Sequence, residues 1–442
     1  MTARQSAVQI FSAAVAAVQP AKLIPDHLFI EDTVLHIFDQ QFLINSLQNI
    51  YVIGAGKASA AMAKTTEEIL GNLIATGIVV TKYRHCLPLQ KIVCLEAAHP
   101  VPDENGITAT AEIVKLLQKA GENDIVICLI SGGASSLWID IPQAAALRDI
   151  QQSFELLLKS GADIYEINTV RKHLSALKGG QLLSHAPQAS FFSFIISDVP
   201  GDNLSVIASG PTMPDSTTFE DANSILKKYN LLSRLPNAII GHINEGIKGT
   251  IKDTPKTGDS VFKNSYNKII GSNSIALESA RVKAIELGYH IGSVSNNLNG
   301  DASIVGRELV KEGRQYSGSK PACFLFGGET TVIVTGNGKG GRNQQMVLSA
   351  YLELNSTGEK AGTNKITFLS AGTDGTDGPT DAAGAIADNY TILLPNEIKL
   401  QAEAYLEKNN AYHFFEQTGG LIKTGPTQTN VMDIVVMIIE NN

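Results

Sequence analysis

The sequence predicts an α/β protein with a doubly wound parallel sheet, followed by a smaller domain with a mixed sheet. Three observations predict it. From residue 49 onward, short apolar runs alternate with glycine-containing turns and helical stretches. Those runs are continuous rather than alternating, as suits strands covered on both faces. The chain has 442 residues, more than a single core usually serves, so two domains are expected.

Taken in order, the apolar stretch 7–18 contains Gln9 and Ser12 and is preceded by one basic residue, Arg4. Val8, Phe11, Val15 and Val18 fall on one helical face, so an amphipathic first helix is expected there in preference to a signal peptide. Strands are expected at 50–53, 78–81, 125–130 and 191–196, with helices over 58–70 and 106–120. This βαβα order is that of a doubly wound sheet, which binds ligands at the carboxyl ends of its strands. The segment 248–268 is polar, carries Gly and Pro and lacks apolar periodicity, which marks an irregular excursion or a domain boundary. Beyond it, a strand at 268–270, a helix over 274–287, and strands at 289–294, 322–326, 330–335, 366–370 and 433–439 continue the pattern. Some are short enough for a mixed sheet. There is no internal repeat.

Composition narrows the function. With 43% hydrophobic and 18% charged residues the chain is not disordered. A net charge of −8 argues against nucleic acid or an anionic membrane as the main partner and leaves a small anionic ligand open. No apolar run approaches the ~18 residues of a membrane span. Cys86, Cys94, Cys128 and Cys323 show no CxxC spacing, so reduced, buried thiols and a cytoplasmic location are expected. The nine histidines form no metal-ligand cluster.

The chemistry-bearing residues sit in glycine loops. Gly54-Ala-Gly56-Lys57 ends the first strand and opens a helix, so its amides are expected to face an anion. A dinucleotide fingerprint would need glycine where Ser59 stands and an acid after the next strand, where Thr81-Lys82-Tyr83-Arg84 is found. NAD is thereby disfavoured, NADP weakly retained, and a Walker A loop fails at Tyr51 and Ala58. Lys57 opposes the helix dipole unless an anion neutralises it, the alternative being a solvated lysine on a tight turn. Ser131-Gly132-Gly133-Ala134-Ser135-Ser136 offers an anion-binding nest, or simply a hydroxyl-capped helix start. Asp198 and Asp202 flank a Pro-Gly turn and suit Mg²⁺ or a base for a hydroxyl proton, with an Asx-turn as the ordinary reading of Asp202. A basic helix over 168–180 carries Arg171, able to clamp a carboxylate; a solvated basic face is the alternative.

In the second half, Gly336-Asn-Gly338-Lys339-Gly340-Gly341-Arg342-Asn343 reads as a flexible phosphate-facing loop with a mobile cation, or as a solvated hairpin. The clusters holding Asp374, Asp377, Asp381 and Thr427 do not fit an EF-hand and suit nucleotide or Mg²⁺ binding better. Many such loops together suit phosphoryl transfer.

The motifs VIGAGKAS, AAHPVPDENG, LISGGASSL, NTVRKHLSALKGGQL, SDVPGDNLSVIASGPT, FGGETTVIVTGNGKGGRNQQ, SAGTDGTDGPTDAAGA and TGPTQTNVMDI, in this order, resemble those of the class II glycerate 2-kinases. The resemblance spans nearly the whole chain. It implies ATP-dependent phosphorylation of D-glycerate on its 2-hydroxyl and a divalent ion such as Mg²⁺. It also implies a Rossmann-like N-terminal domain over 1–250, a smaller α/β domain of MOFRL type over 265–442, and an active site in the cleft between them.

The resemblance carries the family's catalytic cations onto Lys57 and Arg342. With it, Gly54, Gly56, Ser131, Gly132, Gly133, Ser135 and Arg171 are expected to hold glycerate or phosphate. Gly338, Gly340, Gly341, Asn343, Asp374, Asp377 and Thr427 are expected at the nucleotide. Asp198 is the first candidate for metal or proton, with Glu329 as a further metal ligand and Asp377 as a competitor. The expected partner is small-molecule D-glycerate, with no nucleic acid and no membrane, and a homodimer is the candidate assembly. Two rivals stand beside this: an NADP-linked reductase of hydroxypyruvate or tartronate semialdehyde, and a non-catalytic sensor of phosphorylated acids.

Overall fold

The computed structural model describes residues 1–355, 365–388 and 396–440. The chain divides into two compact units, one formed by Leu23–Ile270 and the other by Met1–Lys22 with Gly271–Asn442.

In the first unit, β1 (Leu28–Glu31), β2 (Val34–Ile37) and β3 (Gln40–Leu43) form a small antiparallel sheet that the apolar pattern did not announce. The main sheet contains β4 (Ile50–Ala55), β5 (Ile74–Lys82), β6 (Ile92–Ala97), β7 (Ile125–Ile130), β8 (Ser190–Ile196) and β9 (Ser265–Gly271), in the order β6-β5-β4-β7-β8-β9. The pairs among β4 to β8 are parallel. β4 and β7 are buried along their whole length, which explains their unbroken apolar runs. Helix Glu104–Leu117 starts where Asp103 accepts from the Gly106 amide at 3.1 Å. Four helices, Leu147–Lys159, Ile164–Lys172, Phe219–Lys228 and Asn237–Ile247, share a separate core that includes Ile150, Val170, Phe219, Leu226 and Ile243.

In the second unit, β10 (His290–Leu298), β11 (Ala322–Gly328), β12 (Lys365–Gly372), β13 (Gly384–Ala387), β14 (Leu421–Ile422) and β15 (Asp433–Glu440) form a mixed sheet, β10-β11-β15-β12-β13-β14. β10 and β11 are parallel, while β15 runs antiparallel to both β11 and β12. Gly328, Gly372 and Asp433 therefore lie at the same end of this sheet, in register with one another. Phe324, Tyr351, Phe368, Phe414 and Met437 fill the core.

Several expectations are corrected. Helix Ala3–Ala17 forms, with Thr2 and Gln5 as its capping box, but it packs against helix Asn273–Glu286 rather than in a domain over 1–250. Its buried stripe is Ala7, Ile10, Phe11, Ala14 and Val15, with Val8 only half-buried. Ser279 Oγ donates to the Ala13 carbonyl at 3.0 Å and Thr429 Oγ1 to that of Val18 at 2.6 Å. The segment 248–268 is not a boundary but part of the first unit, where β9 joins the sheet edge beside β8.

No strand forms at 330–335. Ile333 and Val334 are 72% and 75% exposed, and only Thr331 makes a bridge, to Asp301. The run is β-branched, but among the described residues no strand pairs with it; Asn409 Oδ1 instead accepts from the Thr335 and Gly336 amides. Cys86 and Cys94 form a disulfide, because the chain returns after β5 to bring Cys86 alongside edge strand β6, with Cα atoms 5.8 Å apart. Cys128 and Cys323 are free and buried as expected, and burial pushes both thiols up to about 12. Among the described residues, no helix is long and apolar enough to cross a membrane.

Candidate active site

The first unit places its glycine loops at one point. From β4 the chain winds outward to β5 and β6, and from β7 it winds the opposite way to β8 and β9. The crevice at the carboxyl ends of β4 and β7 is thus a topological switch point, the usual ligand position on such sheets. Gly54 allows close contact, since a Cβ there would stand 2.7 Å from the Leu129 carbonyl oxygen. Gly56 (φ 131°) lies so near Ser131 that any side chain would overlap its Oγ.

This interlock changes the expected role of the first loop. The Gly56 amide donates to Val80 O (3.1 Å), that of Lys57 to Gly132 O (2.9 Å), that of Ala58 to Ser131 Oγ (3.0 Å) and that of Ser59 to Gly56 O (3.2 Å). These amides do not form the expected anion cradle; the loop instead presents the half-buried Lys57 at a helix start. Ser59 Oγ occupies the place of a third glycine, donating to Gly56 O and Val80 O.

The second loop keeps its donors. Among the described residues the Gly132 and Gly133 amides have no acceptor, and Gly133 (φ 86°) turns the chain against the His99 ring. Ser135 Oγ lies 2.9 Å from Ser209 Oγ, which in turn donates to Asn168 Oδ1 at 3.0 Å. Asp198 follows β8 on the neighbouring loop and is half-buried.

The basic segment is neither a single helix nor a solvated face. Its helix ends at Lys172, and Lys172, His173 and Lys178 are all buried. Lys172 pairs with Asp215 at 3.1 Å, and His173 Nε2 meets Asp253 at 3.0 Å. Lys178 donates to Trp138 O at 2.7 Å. Burial pushes its ammonium down to about 8, with Asp140 opposing and Arg171 reinforcing the shift. Arg171 lies over the Phe154 ring at 4.7 Å, and its Nε is buried with no hydrogen-bond partner among the described residues. Burial lowers its pKa, so an anionic group beside it would be stabilising.

In the second unit, Arg342 opens helix Arg342–Asn355. Asp433, 1% exposed at the start of β15, receives Nε at 2.5 Å and Nη2 at 3.0 Å, while Nη1 pairs with Glu329 at 2.7 Å. Burial opposes the guanidinium charge, yet Asp433 above all, then Glu329 and Asp377, hold its pKa above the ordinary value. Sequence reasoning missed Asp433. Its signal was an acidic residue opening the long apolar run of a buried strand, a place where a charge needs a partner.

Asp377 and Asn343, expected at the nucleotide, are bonded around the start of the helix that Arg342 opens. Asp377 accepts from the Asn343 and Gln344 amides at 3.1 and 2.8 Å, capping the helix, and Asn343 Oδ1 accepts from Ser370 Oγ at 2.5 Å. Burial pushes Asp377 up to about 7; the two amides favour its charge, and Asp433 opposes it. Gly341 leaves room for this carboxylate. The loop at 336–341 is pinned rather than loose: Gly338 N donates to Lys408 O (2.9 Å), Lys339 N to Asn410 Oδ1 (3.0 Å), and Gly340 packs beside Ala411.

Asp374 closes a turn on Thr376, and Thr427 Oγ1 donates to Thr373 O at 2.5 Å, which interlocks their two loops. Among the described residues no three His, Cys, Asp or Glu side chains form a metal-binding group. Glu329, expected as a metal ligand, is engaged by Arg342.

Comparison with known proteins adds to this geometry. Residues 6–244 match a domain of unknown function (DUF4147), and residues 322–433 match the MOFRL family. A protein of Pyrococcus horikoshii named glycerate 2-kinase is 39% identical over 99% of this chain and 98% of its own. The chain belongs to the MOFRL glycerate kinase family. Within that family, the crystal structure of glycerate kinase from Thermotoga maritima aligns with a TM-score of 0.82 at 37% identity, covering 99% of both chains. A family relative from Agrobacterium vitis, 37% identical over 99% of this chain and 95% of its own, carries the name putative hydroxypyruvate reductase.

Proposed function

We propose that this chain transfers the γ-phosphoryl group of ATP to the 2-hydroxyl of D-glycerate, yielding 2-phosphoglycerate and ADP. The observation that carries the reading is the switch-point crevice. There Lys57 and the Gly132 and Gly133 amides, which bond no acceptor among the described residues, offer positive charge and N–H donors to a small acid bearing carboxylate and phosphate oxygens. The 2-hydroxyl oxygen attacks the γ-phosphorus, the bond to the β–γ bridging oxygen breaks, and the hydroxyl proton passes to a base.

Lys57 and Arg342 are the cations proposed to neutralise charge on the transferring group, so catalysis rests on positioning and electrostatics. Arg171 is proposed to hold the glycerate carboxylate, the Gly132 and Gly133 amides its oxygens or those of phosphate, and Ser135 a glycerate hydroxyl. Asp198 is the carboxylate proposed to take the proton or to hold the divalent ion. A single carboxylate suits Mg²⁺ that arrives on the nucleotide, where it would neutralise phosphate charge, better than an all-protein cage. Asp377 and Glu329 are set aside for these roles, being engaged at the helix cap and at Arg342.

The relative named as a reductase favours an NADP-linked reading, which needs loop amides for a pyrophosphate. The amides of Gly56, Lys57, Ala58 and Ser59 are already bonded, which argues against it. The test is a coupled ADP-release assay with Mg·ATP and D-glycerate, L-glycerate, hydroxypyruvate or tartronate, with NADPH oxidation followed in parallel. ADP release with D-glycerate alone, with phosphate on the 2-hydroxyl, supports the kinase; NADPH oxidation without ADP release overturns it.

A further inference from the structure

We propose that Asn168, Ser209 and Ser135 form a directional hydrogen-bond chain that reads the ligand's hydroxyl as a proton donor, so that the site selects a hydroxy acid over the matching keto acid. The identity of the ligand rests on the phosphotransfer reading above; the direction of the chain rests on geometry alone.

The direction follows from counting protons. Asn168 Nδ2 donates to the Val206 carbonyl at 3.4 Å, which turns Oδ1 toward Ser209. Ser209 Oγ donates to that oxygen at 3.0 Å. A serine hydroxyl carries one proton, so toward Ser135, 2.9 Å away, Ser209 can only accept. The Ser135 proton is thereby engaged, which leaves Ser135 Oγ able only to accept from a ligand in the crevice.

The backbone supports this assignment. Ala208, Ser209 and Gly210 have φ of 53°, 60° and 62°, three successive left-handed residues of which two are not glycine. Such a conformation persists where the surroundings over-determine it, and it concentrates at functional sites. Here the Gly179 and Gly180 amides donate to the Ser209 and Gly210 carbonyls at 3.0 and 2.8 Å. Ser209 and Asn168 are 1% and 4% exposed, so they act through Ser135 as positioning residues. Ser135 is half-exposed and two residues from the unpaired Gly133 amide.

A ligand hydroxyl can donate to Ser135 Oγ. A carbonyl oxygen in the same place has no proton to give, so two acceptors face each other and Ser135 stays unsatisfied. Sites that hydrogen-bond a substrate hydroxyl reject analogues lacking it more strongly than sites that judge size.

The test is isothermal titration calorimetry of the full chain with D-glycerate and with hydroxypyruvate, which differ at carbon 2. Wild type is expected to bind D-glycerate at least ~10-fold more tightly. Ser135→Ala, on a half-exposed loop, and Ser209→Ala, which frees the Ser135 proton, are each expected to bring the ratio to within ~3-fold of unity. Ser209→Gly relieves the backbone strain; it is expected to melt higher than Ser209→Ala with the same loss of selectivity. A wild-type ratio near one, binding of neither acid, or a wild-type ratio retained in either alanine variant overturns the chain. ADP release by the wild type is measured separately. Its absence beside hydroxyl-selective binding refutes the kinase reading and leaves the hydrogen-bond chain standing.

Discussion

Asp433→Asn tests how Arg342 is held. Asparagine keeps the shape, and its Oδ1 can still accept one guanidinium N–H. Its Nδ2 then faces the other, so one of the bonds at 2.5 and 3.0 Å becomes donor against donor. A charge-assisted hydrogen bond contributes ~1.5–3 kcal/mol. The guanidinium is 34% exposed and keeps Glu329 at 2.7 Å, so water and that carboxylate recover part of the loss. The stability cost is therefore expected near ~1 kcal/mol, a fall in Tm of ~2–4 °C.

Activity should suffer far more. A cation displaced by ~1 Å from the transferring group costs ~10²-fold in kcat. Thermal melts and coupled ADP release on the same preparation separate the two effects. In the Arg342→Ala background, Asp433→Asn should lower kcat no further, because its target is gone. A kcat within ~3-fold of wild type, with the melt shifted as expected, would falsify the view that Asp433 positions Arg342.

Further outcomes follow from other contacts. Lys57→Ala and Arg342→Ala are each expected to lower kcat by ~10²-fold or more, Lys57→Ala with a melt close to wild type and Arg342→Ala with a lower one because the buried Asp433 loses its partner; near-normal turnover in either removes that residue from catalysis. Gly56→Ala should cost more than ~2 kcal/mol, because its Cβ would overlap Ser131 at a positive φ. Gly419→Ala, left-handed at φ 69° and in open space, should cost ~1 kcal/mol, and equal losses in chemical denaturation would refute the interlock. Lys178 has a folded pKa of about 8 against an ordinary 10.5, so between these values the unfolded chain holds the proton and the folded chain does not. Its contribution to stability therefore rises with pH across that window, by up to about 3 kcal/mol relative to Lys178→Met; parallel curves for the two proteins would show that burial does not depress this lysine.

The parallel core was legible because burial on both faces leaves a local compositional trace. The unbroken run of β7 marks the strand at both ends, and the glycines after β4 and β7 mark turns that no side chain would fit. β6, an edge strand with mixed exposure, and the half-exposed β1–β3 leave no such trace. The run at 330–335 shows the converse: strand propensity is local, but a strand needs a partner, and none pairs with it among the described residues.

The sequence by itself determined which residue types stand ready: Lys57 at a helix start, Arg342 after a glycine loop, Ser135 in a nest, Asp198 after a strand. Only the tertiary structure decided what each is bonded to. Sheet order brings β4 against β7, and this uses the amides after Gly54 on Gly132 and Ser131 rather than on a ligand. Antiparallel pairing brings Asp433 to the end of β11 and β12, where it holds a guanidinium 91 residues earlier in the chain. The N-terminal helix, amphipathic on its own evidence, packs with the C-terminal unit. The physical reason is common to all three: amphipathicity and turn chemistry act over a few residues, whereas a hydrogen bond or ion pair is chosen by proximity in space, which strand order alone creates.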